Sequence, residues 1–213
     1  MSKLFKLLFV FVLFTGCYYG SYTPTPTFEG YYIVVLNSVE RPAKATEQYG
    51  ESVMSTIEED EVTKYIFEDE MISVVWLPLT EQFTFVLQNK TDHSIKIIWD
   101  EAVYVDENGV SSRVMHSGVK YTDRSNPQPP TVVVRNAKIE DLVCPVDNIT
   151  YSSYLGWNTD PLFDAFALSQ EQLEEDAQKY IGKEVQILLP LKIEDTVNEY
   201  IFSFVVESFH PNQ

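Results

Sequence analysis

Four segments of this sequence place apolar residues at every second position, and this alternation constrains the fold more than any other feature. The segments are residues 83–87, 95–99, 185–193 and 200–206. Successive side chains of a β-strand point to opposite faces, so an alternating segment buries one face and leaves the other in water. Strands of that kind are typical of antiparallel sheets, because parallel sheets are covered on both faces. The sequence therefore predicts a mainly β fold with antiparallel pairing.

Further segments rich in β-branched and aromatic residues also predict strands. They are residues 31–37, 63–67, 72–77, 102–105, 110–116, 131–135 and 149–154. The dipeptide formed by Asn108 and Gly109 predicts a hairpin turn between two of these strands. Pro190 falls on the polar face of its alternating segment. Because proline cannot donate to a ladder, we expect an edge strand or a bulge at that position.

One α-helix is predicted in the C-terminal half of the chain. Ser169 and Gln172 have the spacing of a capping box, and an apolar stripe begins at Leu173. Gly182 can end this helix. A shorter helical piece is predicted at residues 162–167.

Many short strands separated by turns are typical of two sheets packed face to face. In residues 85–109, a strand ending in Asn is followed by a Thr/Ser turn and a second apolar strand. This pattern resembles the immunoglobulin-like (Ig-like) modules of bacterial envelope lipoproteins. The resemblance implies an antiparallel two-sheet β-sandwich and carries no functional residues. With the helix added, we predict one such domain over residues 28–210.

The start of the chain is typical of a secretory signal peptide. Lys3 and Lys6 precede an apolar run over residues 7–14. This run is about half of the roughly 20 residues that a transmembrane helix needs. We therefore predict a processed signal and no stable membrane span.

Cys17 follows the small residues Thr15 and Gly16, and this end of the signal resembles the lipobox of bacterial lipoproteins. Phe14 departs from the pattern, because the family usually has Leu there. The resemblance implies that residues 1–16 are removed and that Cys17 receives a diacylglycerol on its thiol and an acyl chain on its new amine. There are two alternatives. One is an ordinary secretory signal with an incidental cysteine, and the other is a buried N-terminal strand.

The lipobox resemblance also predicts where the protein resides. Residues 17–27 contain a Thr-Pro-Thr-Pro sequence that favours extended chain, so they predict a flexible, lipidated tether. In enteric-type bacteria an Asp after the lipidated cysteine marks retention at the inner membrane. Tyr18 occupies that position here, which favours the outer membrane over the inner one. The predicted location is the bacterial cell envelope.

The charge of the chain excludes some partners. The net charge is −17, and removal of Lys3 and Lys6 with the signal makes it about −19. Nucleic acids are excluded as partners, because phosphate contacts need lysine and arginine. Direct adhesion to anionic lipid is disfavoured for the same reason, so the acyl chains alone would hold the protein to a membrane. A basic partner or divalent cations would be attracted.

No catalytic residue, metal site or cofactor site is predicted. The three histidines have no zinc-ligand spacing, and we expect His93 and His210 at the surface. The seven acidic residues between Glu58 and Glu70 match no EF-hand loop, so we expect them to solvate the flanking strands. With Cys17 lipidated, Cys144 has no disulfide partner, and its apolar neighbours predict a buried, inert thiol. A glycosidase could still place its two carboxylates among the 32 acidic residues.

The segment around residue 155 is the candidate ligand surface. Tyr151, Tyr154 and Trp157 lie there among asparagine and aspartate residues. Exposed aromatic side chains beside amides can stack on sugars or contact a peptide, whereas buried ones would be core. The leading hypothesis is a lipid-anchored, non-catalytic binding or structural module that contacts an envelope protein or a glycan. The alternatives are a glycan-active enzyme and a surface lipoprotein that binds a sugar or a cation.

Lipidation of Cys17 has a direct test. Protein extracted from membranes of the natural host should begin at Cys17 and carry the mass of its acyl chains, as measured by intact mass spectrometry. The Cys17→Ala variant should lack that mass and leave the membrane fraction. An unmodified N-terminus at another residue would contradict this prediction.

Overall fold

The computed structural model describes residues 27–42, 45–60 and 62–212. These residues form fifteen strands, two α-helices and three short 3-10 helices. The strands are β1 (Phe28–Glu40), β2 (Val53–Glu59), β3 (Val62–Glu68), β4 (Ile72–Pro78), β5 (Phe83–Asn89), β6 (Ile95–Ile97), β7 (Val103–Val105), β8 (Ser111–Met115), β9 (Thr131–Val133), β10 (Lys138–Pro145), β11 (Ile149–Ser152), β12 (Gly156–Thr159), β13 (Phe166–Ala167), β14 (Glu184–Ile193) and β15 (Thr196–Pro211). The helices are α1 (Ala45–Tyr49) and α2 (Gln170–Ala177), and the 3-10 helices span Trp99–Glu101, Tyr121–Asp123 and Val146–Asn148.

Thirteen of the described strands form one large sheet in which every pairing is antiparallel. Its order is β13-β1-β15-β14-β7-β8-β10-β5-β4-β3-β2, with β6 and β9 branching from β14. Strands β11 and β12 form a separate two-stranded sheet. The predictions of a mainly β fold, of antiparallel pairing and of a helix in the C-terminal half are therefore confirmed.

The large sheet curls into a half-barrel around its apolar face. Trp76 on β4 contacts Phe202 on β15, with 5.0 Å between ring centroids, although several strands separate β4 from β15 in the sheet. Phe83 on β5 approaches Phe204 on β15 to 4.7 Å in the same way. Two register shifts between β1 and β15 add to the curl, because bulges bend a strand and increase its twist. The described strands thus form one curled sheet, and the two-sheet, Ig-like arrangement stays a prediction.

The alternating segments supply the strands at the centre of this core. Tyr200, Phe202, Phe204 and Val206 on β15 are all fully buried. Strand β15 is paired on both sides, with β1 and with β14. Burial of every second residue is what the alternation predicts for these positions.

Pro190 lies at an interior position of the sheet, so the prediction of an edge strand is wrong. Strand β14 pairs with β15 along its whole length. On its other side, β14 pairs first with β7 through Gln186–Leu188 and then with β6 through Leu191–Ile193. Pro190 sits between these two pairings, and its carbonyl oxygen accepts a hydrogen bond from the Ile98 N–H at 3.0 Å. A residue without an N–H is tolerated there because the neighbouring strand changes at that point.

The longer predicted helix is confirmed but ends at Ala177, before Gly182, and the shorter one is wrong. The backbone N–H of Gln172 donates to the Ser169 hydroxyl at 3.2 Å, which is the N-cap half of a capping box. Within residues 162–167, by contrast, Phe166–Ala167 forms β13 and pairs with the start of β1. Six residues are too few to nucleate a helix without help, and Phe166–Ala167 pair with β1 instead.

The predicted hairpin turn at Asn108 and Gly109 is also confirmed. Strands β7 and β8 pair up to Val105 and Ser111, on either side of the turn. The Asp106 carboxylate accepts hydrogen bonds from the Asn108 and Val110 N–H groups at 2.9 and 2.7 Å. This aspartate is therefore used in closing the loop.

A buried polar network centres on Asp69, next to Glu70, whose N–H donates to the carbonyl of Tyr49 in helix α1 at 3.0 Å. Asp69 is 3% exposed, and one of its oxygens accepts hydrogen bonds from the Met71 and Ile72 N–H groups, both at 2.9 Å. The other oxygen accepts from the Tyr200 hydroxyl at 3.1 Å and lies 3.7 Å from the Arg41 guanidinium. Burial, with Asp69 close by, raises the pKa of Tyr200 far above its ordinary value. Asp69 belongs to the acidic run that we expected to solvate strands, so for this residue the expectation is wrong.

The predicted signal peptide, Cys17 and residues 18–26 of the tether lie outside the described residues. Their roles stay predictions. None of the helices in the described part of the chain is long and apolar enough to cross a membrane.

The Asp69 network predicts how removal of the Tyr200 hydroxyl changes the stability of the fold. Tyr200→Phe removes the hydroxyl that donates to Asp69 and leaves that carboxylate oxygen short of a partner in the core. We expect the free energy of unfolding, measured with urea, to fall by about 1–3 kcal/mol. Tyr65→Phe is the matched control, because Tyr65 is also buried but its hydroxyl donates to no described residue. Equal losses in the two variants would contradict the role assigned to the network.

Candidate functional site

The segment predicted as a ligand surface forms a projecting hairpin from β11 and β12. Its base is closed by Asn148, whose carbonyl accepts a hydrogen bond from the Asp160 N–H at 2.8 Å. At its tip, the Leu155 N–H donates to the Ser152 hydroxyl at 2.9 Å, and Gly156 adopts a φ of 78°. Glycine takes this left-handed conformation at little cost, which suits the turn. We call residues 149–159 the aromatic hairpin.

Tyr151 and Trp157 lie directly opposite each other across the two strands. Their ring centroids are 5.2 Å apart with an angle of 57° between the planes. Tyr151 is 63% exposed and Trp157 is 37% exposed. Cross-strand aromatic pairs of this kind stabilise a hairpin and still leave ring faces open to solvent.

Two residues from a distant part of the sequence complete the surface. Tyr121 packs edge-on against Trp157 at 6.0 Å, and its hydroxyl lies 3.2 Å from the Thr159 hydroxyl. The Arg124 guanidinium lies 4.8 Å from the centre of the Trp157 ring. It is held there by a 2.9 Å hydrogen bond that it donates to the Tyr121 carbonyl. We call Tyr121, Arg124, Tyr151 and Trp157 the aromatic patch.

The structure brings two of the three predicted surface residues together and places the third apart at the tip. Tyr151 and Trp157 belong to the aromatic patch. Tyr154 lies in the turn and is 97% exposed, beside Leu155 at 80%. Sequence reasoning missed Tyr121 and Arg124, because their short 3-10 segment has no alternation or motif that connects it to the hairpin.

An acidic cavity of about 240 Å³ adjoins the base of the aromatic hairpin. Five carboxyl residues line it, and they are Asp106, Glu107, Asp147, Asp160 and Asp164. Burial, followed by the charges of Glu107 and Asp106, raises the pKa of the Tyr104 hydroxyl in its wall. The site therefore combines exposed rings and one cation with a negatively charged recess.

A second cavity, of about 320 Å³, opens between β1 and the β3–β4 pair. Its lining includes Tyr31, Val34, Tyr65, Leu77 and Phe163, and no charged side chain takes part. The strands around it lie towards opposite ends of the large sheet, so the cavity marks the open side of the curl. It is suited to apolar groups.

The described residues offer little for metal chemistry. Across the ranges that the structure describes, no three His, Cys, Asp or Glu side chains are grouped to hold a metal ion. His93 and His210 are exposed, as predicted. His116 instead stacks on Trp99, with 4.2 Å between ring centroids, and its Nδ1 lies 3.3 Å from an Asp141 carboxylate oxygen. This arrangement packs the imidazole between a ring and a carboxylate.

Cys144 is buried, as the sequence predicts. Its side chain packs with Met115 and Ile149 in a small cluster beside the aromatic hairpin. Burial raises the pKa of its thiol to about 11. Because the thiolate is the nucleophilic form, this cysteine is unsuited to nucleophilic chemistry at neutral pH.

No protein-family model, no curated protein and no solved structure matches the chain.

Proposed function

We propose that this protein is a non-catalytic binding module of a bacterial envelope, which contacts another envelope protein through its aromatic patch. The observation that carries the proposal is the exposed pairing of Tyr151 with Trp157, with Arg124 stacked on the indole. Tyrosine, tryptophan and arginine are the residues most enriched at the energetic centres of protein interfaces. A side chain fixed by its neighbours loses little entropy on binding, which favours affinity.

The position of the patch supports this assignment. The aromatic hairpin is a separate small sheet, and its exposed rings lie outside the main core cluster. The rings therefore contribute little to holding the curled sheet together. Large exposed apolar side chains that the fold does not need are typical of interaction surfaces.

We also propose that lipid on Cys17 anchors the module, with residues 17–27 as its tether. The bacterial envelope is then the compartment, and the outer membrane is favoured by Tyr18. With a net charge of −17 the protein surface does not adhere to anionic lipid, so in this proposal the acyl chains alone hold the protein to the membrane. The acidic surface also favours a partner that carries basic groups.

We further infer that the curled sheet is a variant of the Ig-like two-layer sandwich that the sequence predicts. The support is that the β1-β15-β14 half and the β5-β4-β3 half face each other across one aromatic core, as two layers would. An experimental structure in which the two halves are joined by hydrogen bonds on both sides, as in a closed barrel, would contradict this inference.

A glycan-active enzyme is the second candidate, and the acidic cavity favours it. Glycosidases use two carboxyl groups roughly 5–10 Å apart, and aromatic rings beside such a cleft can stack on sugars. Release of reducing ends from envelope glycans, abolished by Asp147→Asn with Asp160→Asn, would support this candidate over a binding module.

Crosslinking in intact cells tests the binding function. We expect full-length protein to capture one dominant envelope protein, and Tyr151→Ala with Trp157→Ala to lose it. Truncation of one central aromatic residue at an interface typically costs about 2 kcal/mol or more, or roughly thirtyfold in Kd.

The matched control is Tyr31→Ala, which truncates another exposed aromatic residue that lies on β1 outside the hairpin. This variant should keep the partner, and all variants should melt within a few degrees of the wild type. Capture of lipid and abundant neighbours alone, or a partner retained by the double variant, would contradict the proposal.

A further inference from the structure

Strand β2 ends the large sheet, and no other strand in the described part of the chain pairs with its outer edge. Its seven residues pair with β3 without a register shift, from Val53 opposite Glu68 to Glu59 opposite Val62. All seven are exposed. The outer edge of β2 therefore presents a straight row of backbone donors and acceptors.

Apolar side chains lie on both faces of this exposed strand. Met54 and Thr56 face the same side as their partners Phe67 and Tyr65, which are buried, so this side is the inner face. Met54 nevertheless is 47% exposed, and Ile57 on the outer face is 48% exposed. A strand added beside β2 would cover apolar side chains on both faces.

Most of the usual protections of a free edge are missing from β2. Natural edge strands carry charged side chains, above all lysine, or proline or a bulge, or are very short, and these features prevent pairing with another chain. Val53–Glu59 contains no lysine and no proline, and its register is continuous. Its only charged residues are Glu58 and Glu59.

The charge around β2 selects the kind of strand that could pair. Glu51 lies just before β2, Glu58 lies near its end and Asp60 directly follows it, and all three are exposed. Two nearby lysines are already paired within the chain, Lys64 with Glu59 at 2.5 Å and Lys90 with Glu68 at 2.7 Å. A second copy would bring the same acidic residues and a further net charge of −17 to the edge. Like charges oppose that pairing, whereas a basic strand would be attracted.

We propose that the free edge of β2 binds an extended segment of a partner protein, rich in lysine or arginine at alternate positions, as an added antiparallel or parallel strand. Main-chain hydrogen bonds supply the affinity in this mode of recognition, and alternate side chains supply the specificity. The incoming apolar side chains would cover Val53 and Ile57, and its cations would lie beside Glu58 and Asp60. This site is separate from the aromatic patch, so the inference does not rest on the proposed function.

The probe is an acetylated and amidated nine-residue peptide that alternates lysine and valine, titrated into the full-length mature protein. Hydrogen–deuterium exchange then reports where backbone amides become protected. We expect saturable binding, protection gained at the amides of Val53–Glu59 that point away from β3, and weaker binding as salt is raised, because screening weakens exposed charge pairs. A glutamate–valine peptide and a lysine–valine peptide with alternate amides N-methylated should not bind.

Protein variants locate the site on β2. Val53→Lys with Ile57→Lys should weaken binding roughly tenfold, because the substitutions remove apolar contacts and add positive charge where a cationic strand would bind. Val132→Lys is the matched control. It adds one positive charge on β9, where Val132 is 51% exposed on another free edge of the sheet. This control should bind as the wild type does, and circular dichroism should show that every variant is folded.

Four results would overturn the proposal. They are the absence of saturable binding, equal binding of the N-methylated or acidic peptide, protection that appears away from β2, and equal weakening by Val132→Lys. Two further results would also overturn it. Protection, before any peptide is added, of the Val53–Glu59 amides that point away from β3 would show that the edge is already covered by this chain or by a second copy. A concentration-dependent dimer lost in the Ile57→Lys variant would identify the second copy as the occupant instead.

Discussion

The packing of Trp76 against Phe202 and Phe204 is the contact on which the curled shape of the sheet depends. Trp76 is fully buried, and its ring lies 5.0 Å from Phe202 and 5.6 Å from Phe204. These contacts join β4 to β15 across the core instead of along the sheet. A flat sheet would leave the apolar face of both halves in water, at a cost of about 25 cal/mol for each Å² of apolar surface. Curling buries both halves of one sheet against each other, and the polar faces remain outside.

Two sets of polar contacts fix the positions of α1 and of the aromatic hairpin, which apolar packing does not determine. The Asp69 carboxylate and the Tyr200 hydroxyl connect the β3–β4 turn to β15, and the Tyr49 hydroxyl donates to Asn198 in the same region. A buried carboxylate tolerates only neighbours that donate to it, so this network selects one arrangement of α1 on the sheet. At another part of the molecule, the Asn148 and Asp160 backbones close the aromatic hairpin. The exposed rings are thus held in position by local contacts and lie outside the main core.

The elements that sequence predicts well are those that bury one face. Strands β5, β14 and β15 alternate because their inner residues meet the core, and Ser169 marks the start of α2 because its hydroxyl caps the helix. Strand β2 gives no such signal, since both of its faces are exposed. The curl itself depends on Trp76 meeting Phe202, more than a hundred residues away, and no local pattern encodes that contact. Tyr151 and Trp157 lie in one segment, so the sequence alone could mark them as a candidate surface. Arg124 lies in another part of the sequence, and only the fold brings it to the Trp157 ring.

Native-state hydrogen exchange on the full-length protein tests the central claim most directly, namely that the aromatic hairpin is carried by a core that β15 organises. Amides of β5, β14 and β15 should exchange only through global unfolding, with a protection free energy equal to the free energy of unfolding from urea. Amides of β11 and β12 should exchange through a smaller, local opening that leaves the sheet intact. The account is contradicted if β15 opens before the rest of the sheet, or if the aromatic hairpin shows the full global protection of the core.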